Sequence, residues 1–107
     1  MAVTLKTAKR IDFQDKIMEQ NLGCMDDANY SERFVFTKSK KNKYTSFLSH
    51  LRNAFAHGHF VFQNFKNEIY LFLKDVRNNN TLTMRGAIKY SSLVCLVEII
   101  SREQNQG

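Results

Sequence analysis

The stretch YTSFLSHLRNAFAHG, residues 44–58, decides how the rest of the chain is read. Its apolar positions Tyr44, Phe47, Leu48, Leu51, Ala54 and Phe55 recur at the three- and four-residue spacing of an α-helix. At about 100° per residue they make an apolar stripe roughly 120° wide, enough to seat one face on a core. Gly58 follows directly, where a helix end favours a residue at ease in the left-handed region. The spacing predicts an amphipathic helix over 44–57.

The polar residues of this helix have directions of their own. With Phe47 at zero, Arg52 projects at about 140°, Ala56 at about 180°, Asn53 at about 240° and His57 at about 280°. Asn53 and His57 are therefore i, i+4 neighbours, with Arg52 at the other edge of the face and small Ala56 between. These groups suit phosphodiester cleavage. A guanidinium offers a fork of donors to phosphate oxygens and stabilises charge developing there. An imidazole can take the ribose 2′-hydroxyl proton or protonate the leaving oxygen near neutral pH. An amide orients the histidine or bonds the phosphate. Because Arg52 and His57 diverge by roughly 140°, one copy converges poorly on a single phosphate. Two copies packed around a two-fold axis would converge well, so the expectation is a homodimer through this helix, from Tyr44 to His57, with a composite site.

Downstream, HFVFQ (59–63) and EIYLFLKDV (68–76) alternate or crowd apolar and aromatic residues, a pattern that predicts a β-hairpin. RNNN (77–80) reads as a polar loop. Thr83 is placed to cap a last helix reaching about Gln104, with Ala87, Ile88, Leu93, Val94, Val97 and Ile100 for the core. Upstream, residues 3–22 read as a first helix with Ile11, Phe13, Ile17, Met18 and Leu22 apolar and Gly23 as its stop. Phe34, Val35 and Phe36 are either extended or an opening helical turn. With no proline and four glycines in 107 residues, helix is the natural prior.

Length and composition bound the function. The chain is expected to be one domain over 1–107, and 43% hydrophobic with 24% charged residues is globular, not disordered. Sixteen Lys and Arg against ten Asp and Glu give +6, which suits a polyanionic partner and equally an ordinary basic protein. No run approaches the ~20 apolar residues of a membrane span, and the N-terminus lacks an apolar leader. A cytoplasmic protein with reduced Cys24 and Cys95 is therefore the simpler expectation than one with a disulfide between them.

Other residues carry weaker alternatives. KSKKNK (38–43) reads first as a solvated loop or helical turn, and second as a phosphate-binding strip in which Lys40, Lys41 and Lys43 contact RNA. His50, two turns before His57, reads as a surface residue or a flanking RNA contact. His50, His57 and His59 lack the one-turn spacing that chelates zinc well, so no metal and no cofactor is expected. Phe60, Phe62, Phe65, Tyr70 and Phe72 read as core ahead of base-stacking platforms. Lys66, Lys74, Arg77, Arg85 and Lys89 are individually weak phosphate contacts.

The run LRNAFAHG, with Arg52, Asn53 and His57 at a helix end, resembles the R-x4-H motif of the HEPN superfamily (higher eukaryotes and prokaryotes nucleotide-binding). Over residues 44–60 the likeness is to the small prokaryotic HEPN nucleases. It implies a mostly α fold, a HEPN-like helical bundle with a small β-hairpin after the motif helix. It also implies dimerisation through the motif helices and metal-independent RNA cleavage that leaves a 2′,3′-cyclic phosphate. Many such proteins are toxins or antiphage effectors, some paired with an antitoxin of nucleotidyltransferase type. The alternative is a catalytically silent module of the same fold that binds RNA, a nucleotide or a protein partner, or a plain dimerisation unit.

Overall fold

Phe34-Val35-Phe36, ambiguous in sequence, lies at the centre of the molecule. In the computed structural model, which describes residues 3–20, 22, 32–38, 42–78 and 80–105, these three residues sit in a strand and are fully buried. Phe34 and Phe36 face one side and Val35 the other, and a strand covered on both faces reads as a continuous apolar run.

The strands are Thr4–Ala8 (β1), Arg33–Thr37 (β2), Phe60–Phe65 (β3), Glu68–Arg77 (β4) and Thr81–Lys89 (β5). They form one five-stranded sheet in the order β1-β2-β5-β4-β3. β1 and β2 are parallel, and the other neighbours are antiparallel. Among the described residues there are three α-helices: Phe13–Glu19 (α1), Lys43–Ala56 (α2) and Tyr90–Asn105 (α3). The architecture is thus a mixed α/β fold, not the mostly α helical bundle that the family likeness implied.

The expected hairpin exists as β3 and β4. Lys66 and Asn67 between them both take positive φ, the two-residue turn that matches the right-handed twist of paired strands. What was missed is that the hairpin continues into β5. Thr83, expected as a helix cap, is buried in β5, and its hydroxyl donates to the Asp75 carbonyl at 3.1 Å. Ala87 and Ile88 are strand residues, and α3 starts only at Tyr90. The first helix is likewise shorter than expected. Residues Thr4–Ala8 pair with β2, whose position in sequence gives no local sign of the partnership. Phe13 and Ile17 of α1 are buried one turn apart, whereas Ile11 and Met18 are exposed. Gly23, the expected stop, and Cys24 lie outside the described residues.

The main core lies between one sheet face and helices α2 and α3. Phe34, Phe36, Leu71, Leu73, Met84 and Ile88 meet Phe47, Leu51 and Ala54 of α2 and Leu93 and Ile100 of α3. The Phe47 ring sits 5.0 Å from Phe34, edge-on, and 5.5 Å from Phe36, which anchors α2. On the other face, Phe13, Ile17 and Leu22 cover Val35. The buried Arg33 guanidinium donates to the Gln20 carbonyl at the end of α1, and burial holds its pKa below the ordinary arginine value.

Gly86 of β5 is a close-approach position. A Cβ there would lie 2.0 Å from Phe34 Cδ1 and 2.5 Å from the Arg33 carbonyl oxygen, so the Phe34 ring takes the place of a side chain. Gly86→Ala is expected to destabilise by about 1–3 kcal/mol or more through overpacking. Chemical denaturation checks this, and an unchanged midpoint would contradict the packing. No helix of the described residues is long and apolar enough to cross a membrane.

Candidate active site at the end of the second helix

α2 begins at Asn42, whose Oδ1 accepts from the backbone N–H of Tyr44 at 2.7 Å and of Thr45 at 3.4 Å. It ends at His57, whose N–H still bonds the Asn53 carbonyl at 3.0 Å. Gly58 then takes φ +68°, turning the chain into β3 as the sequence predicts. Arg52, Asn53 and His57 are therefore fixed by a helix closed at both ends.

The helix is rolled relative to its apolar stripe. Its buried residues are Ser46, Phe47, His50, Leu51 and Ala54, while Tyr44 and Phe55 are each 41% exposed. In the angular frame above, the buried arc is displaced by about 70° towards Asn53 and His57. A buried polar network accounts for the roll. His50, only 2% exposed, places Nδ1 2.7 Å from Asp75 Oδ2 and Nε2 2.7 Å from the Thr37 carbonyl oxygen. A carbonyl can only accept, so Nε2–H donates to Thr37, and a single proton is shared between Nδ1 and the carboxylate. Asp75 is itself buried, next to a register shift at Asp75/Val76 in β4. A bulge of this kind re-aims a side chain. Asn53 Nδ2 also donates to Asp75 Oδ2, at 3.4 Å.

His50 is therefore neither a surface residue nor an RNA contact: both ring nitrogens are occupied inside the protein. Asn53 is not turned fully away from the sheet. It lies at the margin of the sheet-facing side, tethered to Asp75, with its residue surface still exposed. Arg52 is exposed on the far side, and no hydrogen bond or ion pair joins it to His57 among the described residues. His57 is exposed, with its ring 6.0 Å from that of His59. The structure thus brings Asn53 to Asp75 and His57 to His59, and leaves Arg52 apart.

The remaining sequence candidates divide. Lys43 is half-buried, with its ammonium 5.7 Å from the centre of the Tyr44 ring, and Lys40 and Lys41 lie outside the described residues. Tyr70 and Phe72 are buried, as a core reading expects, but Phe62 is exposed, its ring edge-on to that of Phe60 at 5.7 Å. Among the described residues, no group of three or more His, Cys, Asp or Glu is placed to hold a metal ion.

Asp75 was legible in principle. Ile69, Leu71, Leu73 and Asp75 share one parity of β4, so a carboxylate follows an apolar series on the same face. Buried carboxylates require a partner, and His50 lies within the buried arc of α2.

A family model described as HEPN pEK499 p136 matches residues 3–102 of the chain. No curated protein and no solved structure matches it.

Proposed function

The chain belongs to the HEPN pEK499 p136 family, and from that premise we propose that it is a metal-independent endoribonuclease acting as a homodimer. The observation that carries this reading is the exposure of Arg52, Asn53 and His57 on the last turns of α2, with Asn53 tethered to the buried His50–Asp75 pair. A buried ionisable pair is costly to fold around, and here it holds one member of the R-x4-H set.

In the proposed reaction the ribose 2′-oxygen attacks phosphorus and the bond to the 5′-oxygen breaks, leaving a 2′,3′-cyclic phosphate. The 2′-hydroxyl proton goes to an imidazole, and a proton reaches the departing 5′-oxygen from an imidazole. His57 is the imidazole in this scheme, two copies being available in a dimer. Arg52 binds the non-bridging oxygens, and Asn53 orients phosphate or ring. The divergence of Arg52 and His57 around one helix supports a site shared by two copies. Ala56 is exposed between them, and Phe55 and Phe62 add exposed apolar surface nearby. On the resemblance of the Arg52–His57 motif to the small prokaryotic HEPN nucleases, we further propose a toxin or antiphage role in the cytosol, with an antitoxin of nucleotidyltransferase type as partner.

The test is incubation of the purified protein with mixed RNA in EDTA, followed by analysis of fragment ends. Fragments ending in 2′,3′-cyclic phosphate are the expected result. RNA or nucleotide binding without cleavage would replace the nuclease by a silent binding module. Ala56→Arg puts a long cation into the gap between copies. It is expected to convert a dimer to monomer in sedimentation and to abolish cleavage together, and a fully active monomer would overturn the shared site.

A further inference from the structure

The pairing of β3, β4 and β5 creates a basic row on the sheet face turned away from α2. Lys74 stands directly opposite Arg85, and Lys74 N–H donates to the His59 carbonyl at 3.1 Å, which brings His59 alongside Lys74 at the start of β3. Side chains alternate along strands, and Leu73 and Met84 belong to the core under α2. His59, Lys74 and Arg85 therefore project from the opposite face. They line a cleft of about 480 Å³ together with Val61, Gln63 and Phe72. In the same parity of β4 the acid is Glu68, six residues from Lys74 and so about 20 Å along the strand.

One residue lining this cleft carries an unpaired buried nitrogen. His59 Nδ1 is buried and has no hydrogen-bond partner, the buried side-chain polar atom left unsatisfied among the described residues. Such atoms are rare in folded proteins and mark a role or a missing partner. The neighbouring Lys74 ammonium favours an anion in the cleft, to which a protonated Nδ1 could donate. The His57 ring is 6.0 Å from His59, short enough for one nucleotide to touch both.

We propose that the cleft of His59, Lys74 and Arg85 is a phosphate-binding site that holds the RNA nucleotide next to the scissile phosphate. This rests on the nuclease reading of Arg52 and His57, and extends it by placing the strand: from the end of α2, over Gly58, onto the far face of the sheet. Lys74 supplies charge, and a rotation of the half-buried His59 ring brings its unpaired nitrogen to the phosphate.

The test measures binding of a fluorescent single-stranded oligoribonucleotide in EDTA, on a His57→Ala background that keeps the RNA intact. Lys74→Glu is expected to weaken binding about tenfold or more. Lys74→Gln is expected to make the salt dependence shallower by about 0.7 in log–log slope, the loss of one single-strand phosphate contact. His59→Gln should weaken binding as well, whereas Lys66→Glu, in the β3–β4 turn, should not. Wild-type affinity and slope in both Lys74 variants would overturn the cleft. A second probe separates the two readings, namely inorganic phosphate followed through the His59 ring resonances. If RNA fails to bind but phosphate shifts those resonances in wild type and not in Lys74→Gln, the nuclease reading falls and the phosphate site stands. Silence of both probes overturns both.

Discussion

Replacing His57 by alanine is expected to lower RNA cleavage by about 10²–10⁴-fold, the range that a positioned general acid or base contributes. Folding should be nearly unaffected. The His57 side chain is exposed, and the bond that closes α2 there runs from its backbone N–H to the Asn53 carbonyl, which alanine keeps. Surface substitutions of this kind usually change stability by no more than about 0.5 kcal/mol. The measurement is fragment formation from a defined RNA in EDTA, paired with a melting curve of the same preparation. Loss of cleavage at unchanged melting temperature assigns the imidazole to the chemistry. Undiminished cleavage would remove His57 from the mechanism.

The second large effect is on stability. His50→Ala or Asp75→Ala is expected to cost about 3–5 kcal/mol, because each leaves a buried polar partner without its counterpart. The Asp75 variant also orphans a donor of Asn53. A domain of this size has on the order of 5–15 kcal/mol in total, so either variant lies near the edge of folding. Replacing both partners by apolar residues, as in His50→Phe with Asp75→Leu, removes both unpaired groups and should recover much of the loss. Denaturant titration of the two singles and the double gives the coupling directly. Additive losses with no recovery would show that the pair is not the source of stability at the α2–β4 contact.

These two predictions draw on different depths of the sequence. Arg52, Asn53 and His57 were legible because a helix is a local structure: its period, its stop at Gly58 and the relative directions of its side chains follow from residues within a few positions of one another. The β3–β4 hairpin was legible for the same reason, since its two-residue turn is local. β1 was not. Its hydrogen bonds go to β2, about thirty residues along, and TLKTA carries no mark of that partner. Thr83 was misread because a threonine before an apolar series suits a helix cap and a buried strand equally, and only β4 alongside decides between them.

By itself, then, the sequence determined the motif helix, its end, the three candidate side chains on it and the hairpin that follows. The tertiary structure decided the sheet that replaces a helical bundle, and the roll of α2 on that sheet. Apolar spacing defines a stripe about 120° wide but does not choose which edge of it is buried. That choice depended on Asp75, 25 residues from His50, whose buried carboxylate takes the histidine inward and draws Asn53 to the margin of the sheet.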